Sequence, residues 1–226
     1  MRVQVLGASL HLRWHHGADT RATLLLFHGN GEVVADYDPL AESFRKAGVD
    51  LAVVDYRGYG ESRGRPTLRL AIEDAQTVLA GVVAKAAGKP IIVMGRSLGS
   101  ACAAELYGSS LDSSVRAVVF ESGFVDLAAL IRRRGLEAPD SFDDAEKATF
   151  DPLPKLARGR LPLLVLHGEQ DQSISPTEGK RAYEAAGAEK KELVLVPGRG
   201  HNDVAASETY WEALARFVAQ VASAGS

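Results

Sequence analysis

Five consecutive residues carry the clearest chemical signal in the chain: Gly95, Arg96, Ser97, Leu98 and Gly99. They follow the apolar run PIIVM and lead directly into SACAAEL, a stretch of small and helix-favouring residues. Glycine-x-serine-x-glycine between a strand and a helix is the setting in which a serine is lifted clear of a sheet on a sharp turn. Such a turn holds the serine in a sparsely populated backbone conformation. It also brings strand and helix so close that side chains two positions before and after the serine would collide, hence glycine at 95 and 99. The helix start aims unpaired N–H groups at the same point. Ser97 is therefore the candidate nucleophile.

A serine hydroxyl is a weak nucleophile at neutral pH and needs a base to take its proton. His201 suits that role, in the glycine-flanked loop PGRGHND that follows the apolar run ELVLV. The base in turn needs a carboxylate on its second ring nitrogen, to fix the tautomer and stabilise the imidazolium. Asp171, in the loop after LPLLVLHG, is one candidate; Glu169 in the same loop and Asp203 just past His201 are the others. His11, His15 and His16 lie near the N-terminus and read as surface or packing residues. His28 and His167 each end an apolar run just before a glycine and read as hydrogen-bonding to neighbouring loops.

These groups can meet only if a common scaffold returns them to one edge. Short apolar runs recur along the chain: TLLLF (23–27), LAVVD (51–55), PIIVM (90–94), VRAVVF (115–120), LPLLVL (161–166) and ELVLV (192–196). Runs of this kind read as strands buried on both faces of a mainly parallel sheet. Helix-like segments at about 36–47, 68–87, 98–108, 176–187 and 207–222 alternate with them, giving an α/β arrangement with right-handed crossovers. Residues 2–15 alternate apolar and polar and predict an antiparallel edge hairpin. Residues 122–160 break the rhythm, with a short helix at 125–134 and then an acidic, proline-punctuated stretch. Long connections in compact domains are usually functional or mobile, and this one reads as a small lid.

The 226 residues, 46% hydrophobic and 24% charged, suit a single domain with a sizeable core. A net charge of −3 gives no general affinity for nucleic acid or acidic membranes. The run Arg132–Arg133–Arg134 reads as a solvated helix face. A single cysteine, Cys102, permits no intramolecular disulfide and no cysteine-based zinc site. The N-terminal residues lack the apolar core of a signal peptide, and no apolar run is long enough to cross a bilayer; a cytoplasmic location is expected. No phosphate-binding or dinucleotide motif is present, and His15–His16 lacks metal-ligand spacing, so no cofactor or metal is expected. The sequence sets no oligomeric state.

HGNG (28–31), DYRGYGES (55–62), GRSLG (95–99), HGEQD (167–171) and GRGH (198–201) together resemble the α/β-hydrolases over nearly the whole chain. In style the chain is similar to small-lid serine esterases and thioesterases. The resemblance implies a doubly wound, mainly parallel sheet with an N-terminal antiparallel hairpin and a small lid. Its order of serine, acid, histidine selects Ser97, Asp171 and His201. Glu169 stands too close to the strand end for that pattern, and Asp203 is assigned to cap the following helix. The backbone N–H groups of Leu98 and Asn30 become the oxyanion donors, with Gly29 and Gly31 permitting the backbone angles of a tight donor loop. Gly29, Gly31, Arg57 and Arg96 are the expected substrate-binding residues. Arg57 would hold an anionic group or, alternatively, form an ion pair with Asp55 or Glu61. The implied activity is hydrolysis of a carboxylic ester or thioester in a small-molecule acyl substrate. An amidase or peptidase, or a non-catalytic ligand-binding protein on the same scaffold, are the alternatives; the intact triad favours catalysis.

Overall fold

A computed structural model describes residues 1–137 and 143–223. Among these residues eight strands form one sheet: β1 (Arg2–Val5), β2 (Ala8–His15), β3 (Ala22–Phe27), β4 (Val49–Val54), β5 (Ile91–Arg96), β6 (Val115–Glu121), β7 (Leu163–Gly168) and β8 (Lys191–Val196). Their order across the sheet is β1-β2-β4-β3-β5-β6-β7-β8. β3 to β8 run parallel, while β1 and β2 form an antiparallel hairpin that joins through β4. All six apolar runs are strands, and the predicted hairpin lies at the predicted edge. β7 begins at Leu163 rather than Leu161; Pro162 has no N–H for the ladder and instead lends its carbonyl to Val118 N.

The parallel strands are apolar on both faces because helices cover both. Along β3, Leu25 and Phe27 join one core and Leu24 and Leu26 the other, and β5, β6 and β7 divide in the same way. This is the two-residue alternation of a pleated strand. Helices α2 (Leu68–Val83), α3 (Ser100–Tyr107), α6 (Pro152–Arg158) and α7 (Pro176–Ala185) lie over the first core, and α1 (Ala41–Lys46) and α8 (Glu208–Ser223) over the second. α2 shows why it forms: Thr67 accepts from Leu70 N as its N-cap, and Ala71, Ala75, Val78, Leu79 and Val82 make one buried face. The segment expected as one helix at 36–47 is split, with a 3₁₀ turn at Val34–Tyr37 before α1. Pro39 falls between the two and cannot donate a helical bond.

The insertion at 122–160 holds α4 (Leu127–Arg133), at the predicted position, and two helices not foreseen, α5 (Asp144–Phe150) and α6. Residues 138–142 of the expected lid lie outside the described residues. Its last part belongs to the body: Leu156 is fully buried, and Gly108 lets α6 come so near that a Cβ there would stand 2.8 Å from the Lys155 Cα. α4 and α5 contain no buried residues. Among the described residues no helix is long and apolar enough to cross a membrane.

Candidate active site

β5 ends by delivering Ser97 into a tight turn. Its φ is +51°, a left-handed conformation that costs a non-glycine residue on the order of 1 kcal/mol or more. The turn survives because its neighbours fix it. A Cβ on Gly95 would stand 2.7 Å from the Ala103 Cβ, and one on Gly99 would run into the Phe27 carbonyl and stand 2.9 Å from the His28 oxygen. Both glycines are thus demanded by close approach, as the spacing predicted. Ser97 is 5% exposed.

Around that serine the three predicted residues meet. His201 Nε2 lies 2.9 Å from Ser97 Oγ, and His201 Nδ1 lies 2.7 Å from Asp171 Oδ2. An ionised carboxylate only accepts, so Nδ1 carries the proton and Nε2 keeps its lone pair for the serine hydroxyl. Asp171 is held from several sides. Its Oδ1 accepts from Ser173 N and Ile174 N, each at 2.8 Å. Its Oδ2 also lies 3.2 Å from Nε2 of the fully buried His167. That nitrogen donates to the Ile174 carbonyl at 2.9 Å, so it too carries a proton. Burial pushes the Asp171 carboxyl up, but donation from His167, His201 and Ile174 N more than reverses this and holds it well below the usual carboxylate range. His167 does bond a neighbouring loop, as expected; that the loop holds Asp171 was not foreseen. Glu169 is exposed, and no contact joins it to His201.

The loop expected to supply an oxyanion donor follows β3, whose Phe27 pairs with Gly95 of β5, which brings Asn30 and Leu98 to the same strand edge. Tyr59 OH donates to Asn30 Oδ1 at 2.6 Å. Gly31 has φ +82° and supplies the expected backbone freedom. Gly29 does not: its φ is not positive. It is required instead because a Cβ would meet Arg96 Nη1 at 2.6 Å and Glu32 Oε1 at 2.8 Å.

Both arginines differ from expectation. Arg96 turns behind the site into a buried cluster. It pairs with Glu32, with Glu121 at 3.1 Å, and donates to the His201 carbonyl at 3.1 Å and to Asn202 at 3.2 Å. Glu32 accepts from Gly29 N at 2.8 Å and from Tyr37 OH at 2.7 Å, and Glu121 accepts from Tyr210 OH at 2.7 Å. A guanidinium with so many acceptors is committed to holding loops, not substrate. Burial raises the Glu121 carboxyl, and Arg96 and Tyr210 only partly offset that. Arg57 is paired with neither Asp55 nor Glu61. It makes two 2.7 Å bonds to Asp74 on α2. Asp203 stands at the N-cap of the next helical turn, but its side chain makes no capping bond there; it accepts from Gly200 N at 2.7 Å and closes the His201 loop.

A cavity of about 260 Å³ opens beside the turn, lined by Asn30, Tyr56, Tyr59, Leu68, Ala71 and Leu98 among others. A larger one, about 690 Å³, lies at the opposite end of the strands, around Arg116, Leu163 and Lys191, and touches none of the groups above. Among the described residues no three histidine, cysteine, aspartate or glutamate side chains converge as a metal site would need.

The sequence profile of the family described as serine aminopeptidase, S33, matches residues 18–138, more than half the chain. The chain belongs to this α/β-hydrolase family. The matched stretch of this S33-family chain includes Ser97 but ends before Asp171 and His201. Protein bem46 of Schizosaccharomyces pombe is 28% identical over 208 residues, covering 89% of this chain and 69% of the relative. The structure of DcsB in complex with its substrate analogue aligns with a TM-score of 0.77 at 18% identity, covering 99% of this chain and 98% of that one. That of Est1E from Butyrivibrio proteoclasticus with bound ferulic acid gives 0.76 at 18% identity and covers 99% of each. At such identities these structures establish the shared fold.

Proposed function

We propose that the protein is a serine hydrolase that cleaves carboxylic ester or thioester bonds through an acyl-enzyme on Ser97. The observation that carries this reading is the continuous chain from Ser97 Oγ to His201 at 2.9 Å and on to Asp171 at 2.7 Å, with the serine on a strained turn. His201 Nε2 takes the hydroxyl proton as Oγ bonds to the substrate carbonyl carbon. The N–H groups of Leu98 and Asn30 receive the developing oxyanion. His201 then passes the proton to the leaving oxygen or sulfur as its bond to carbon breaks. Water deprotonated by the same imidazole releases the acid and restores Ser97. Asp171, kept ionised by its donors, stabilises the imidazolium at both steps. Side chains and backbone groups supply every step, so the mechanism calls for no cofactor.

The family's description raises an aminopeptidase as a second reading. Such an enzyme must bind the substrate's terminal ammonium, normally with a carboxylate. Among the described residues none of those lining the cavity beside the Ser97 turn is a carboxylate, which favours a neutral acyl substrate. The ferulic acid seen with the structurally similar Est1E is consistent with ester chemistry on this fold.

The deciding experiment is labelling with a fluorophosphonate, with the modified residue located by mass spectrometry. An adduct on Ser97 that is lost in His201→Ala is expected. A folded protein that takes no adduct and turns over neither p-nitrophenyl esters nor acyl thioesters would remove Ser97 from the reading.

A further inference from the structure

The geometry points to a short, uncharged acyl group as the substrate's acyl half, seated in the cavity between the Asn30 loop, the loop after β4 and the start of α2. This rests on the acyl-enzyme reading above and adds which half of the substrate goes where, and how large it is.

The orientation follows from proton transfer. The leaving atom must receive its proton from His201 Nε2, so the leaving group lies on the His201 side of Ser97. The carbonyl oxygen points between the Leu98 and Asn30 N–H groups. The remaining substituent, the acyl group, extends away from His201. The cavity is placed for it: Asn30 and Leu98 form its near wall, and His201 is not among its lining residues.

The walls set the chemistry. Tyr56 and Tyr59 have committed their hydroxyls elsewhere, to the His28 carbonyl at 2.7 Å and to Asn30 Oδ1 at 2.6 Å. Their rings, rather than their polar ends, are left to face an acyl group. Pro66, Leu68 and Ala71 add apolar surface, and Thr67 accepts from Leu70 N as the helix cap. Among the described residues no charged side chain lines the cavity. The nearby cation, Arg57, is neutralised by two bonds to Asp74. A carboxylate on the acyl chain would lose its hydration with no partner in return.

The volume sets the size. At roughly 30 Å³ for each water-sized group in a liquid, about 260 Å³ accommodates roughly eight heavy atoms, such as a hexanoyl, octanoyl or benzoyl group. Ala71, 6% exposed, stands where a larger side chain would shorten the site. Leu68, half-buried at the first turn of α2, stands where a smaller one would lengthen it.

The test keeps the leaving group constant, using p-nitrophenyl acetate, hexanoate, benzoate and dodecanoate with mono-p-nitrophenyl adipate. In wild type, kcat/KM for hexanoate should exceed that for dodecanoate and for adipate at least tenfold each. Ala71→Phe should lower the hexanoate-to-acetate ratio at least tenfold, with acetate turnover retained. Leu68→Ala should raise the dodecanoate-to-hexanoate ratio, and it decides the matter alone if Ala71→Phe does not fold. Dodecanoate or adipate matching hexanoate, or ratios unmoved in active variants, overturns the acyl assignment while leaving the Ser97 mechanism standing. Absence of both ester turnover and a fluorophosphonate adduct on Ser97 in folded wild type overturns the mechanism and this inference with it.

Discussion

Two clusters of charge hold His201, one by its ring and one by its backbone. On the ring side a single carboxylate, Asp171, is surrounded by donors: His201, His167, Ser173 N and Ile174 N. On the backbone side two carboxylates, Glu32 and Glu121, share one guanidinium, and that guanidinium donates to the His201 carbonyl. Asp171 and Glu121 are both buried, although Glu121 shares with Arg96 and the partly exposed Glu32 the lining of a cavity of about 190 Å³, and the two carboxyl groups move in opposite directions. Asp171 falls below its ordinary range and Glu121 rises above its own. Burial pushes both carboxyls up; at Asp171 the donors outweigh it, while at Glu121 burial outweighs Arg96 and Tyr210 and the neighbouring Glu32 adds to the rise. Where the proposed chemistry needs a fixed negative charge, donors are in excess. Where only loop position is needed, two carboxylates share one guanidinium and burial keeps the Glu121 carboxyl raised.

The comparison breaks most severely if the ring side is neutralised. Asp171→Asn should leave the fold intact and lower kcat on an ester by about 10⁴-fold, because the amide can stabilise the wrong imidazole tautomer. Steady-state kinetics alongside circular dichroism check this, and a loss under tenfold would show that Asp171 does not orient the base. Next in size is the backbone side. Arg96→Met strands Glu32 and Glu121 without their cation and should cost on the order of 3 kcal/mol of stability, read by urea unfolding. If stability is unchanged, the cluster is not holding the loops together.

A smaller effect should follow from His167→Leu, which removes one donor from Asp171. A hydrogen bond to a charged group contributes about 1.5–3 kcal/mol, so kcat should drop roughly tenfold or more, and His167→Gln should recover part of it. Equal stability loss in both variants with unchanged kcat would make His167 a packing residue only. The smallest effect concerns Glu121. Its raised carboxyl contributes stability fully below the unfolded-state value near 4.3, and that contribution is lost as pH rises through the folded value. Asp171 contributes the reverse: its stabilisation is present above about pH 3.9 and is lost as pH falls toward its depressed folded value. Glu121→Gln should therefore flatten the decline in stability above about pH 4, with a smaller loss at pH 7 than Arg96→Met because Glu32 stays paired with Arg96 and the amide oxygen can still accept from Tyr210. Thermal unfolding across pH 4 to 8 would detect this, and an unaltered profile would assign the slope to other groups.

Much of this architecture is legible in the sequence because its causes are local. Continuous apolar runs mark strands covered on both faces, and the glycines at 95 and 99 mark a turn that only a close strand–helix approach requires. Asp171 and His201 are legible as loop residues after such runs. Arg96 is not. Beside an active-site serine a cation reads as facing substrate, and nothing nearby tells that it turns inward to Glu32 and Glu121 on other strands and loops. His167 escapes for the same reason: its partner is fixed by how the next loop folds back. α5 and α6 did carry local signals. Asp143 and Glu146 form a capping box, and Asp151 caps a helix with Pro152 in its first turn. The acidic, proline-punctuated composition of that stretch obscured them.

Among the described residues β8 is both an edge strand and the last strand, and His201 lies in the loop that follows it. Ser97 is therefore synthesised 104 residues before its base. At a translation rate of 5–20 residues per second, that is an interval of roughly 5–20 s. During that interval the emerging chain holds a serine with nothing to deprotonate it. On the proposed mechanism the hydroxyl gains its base only when β8 has docked on β7 and completed the sheet, so the order of synthesis would keep the nascent chain chemically silent until then.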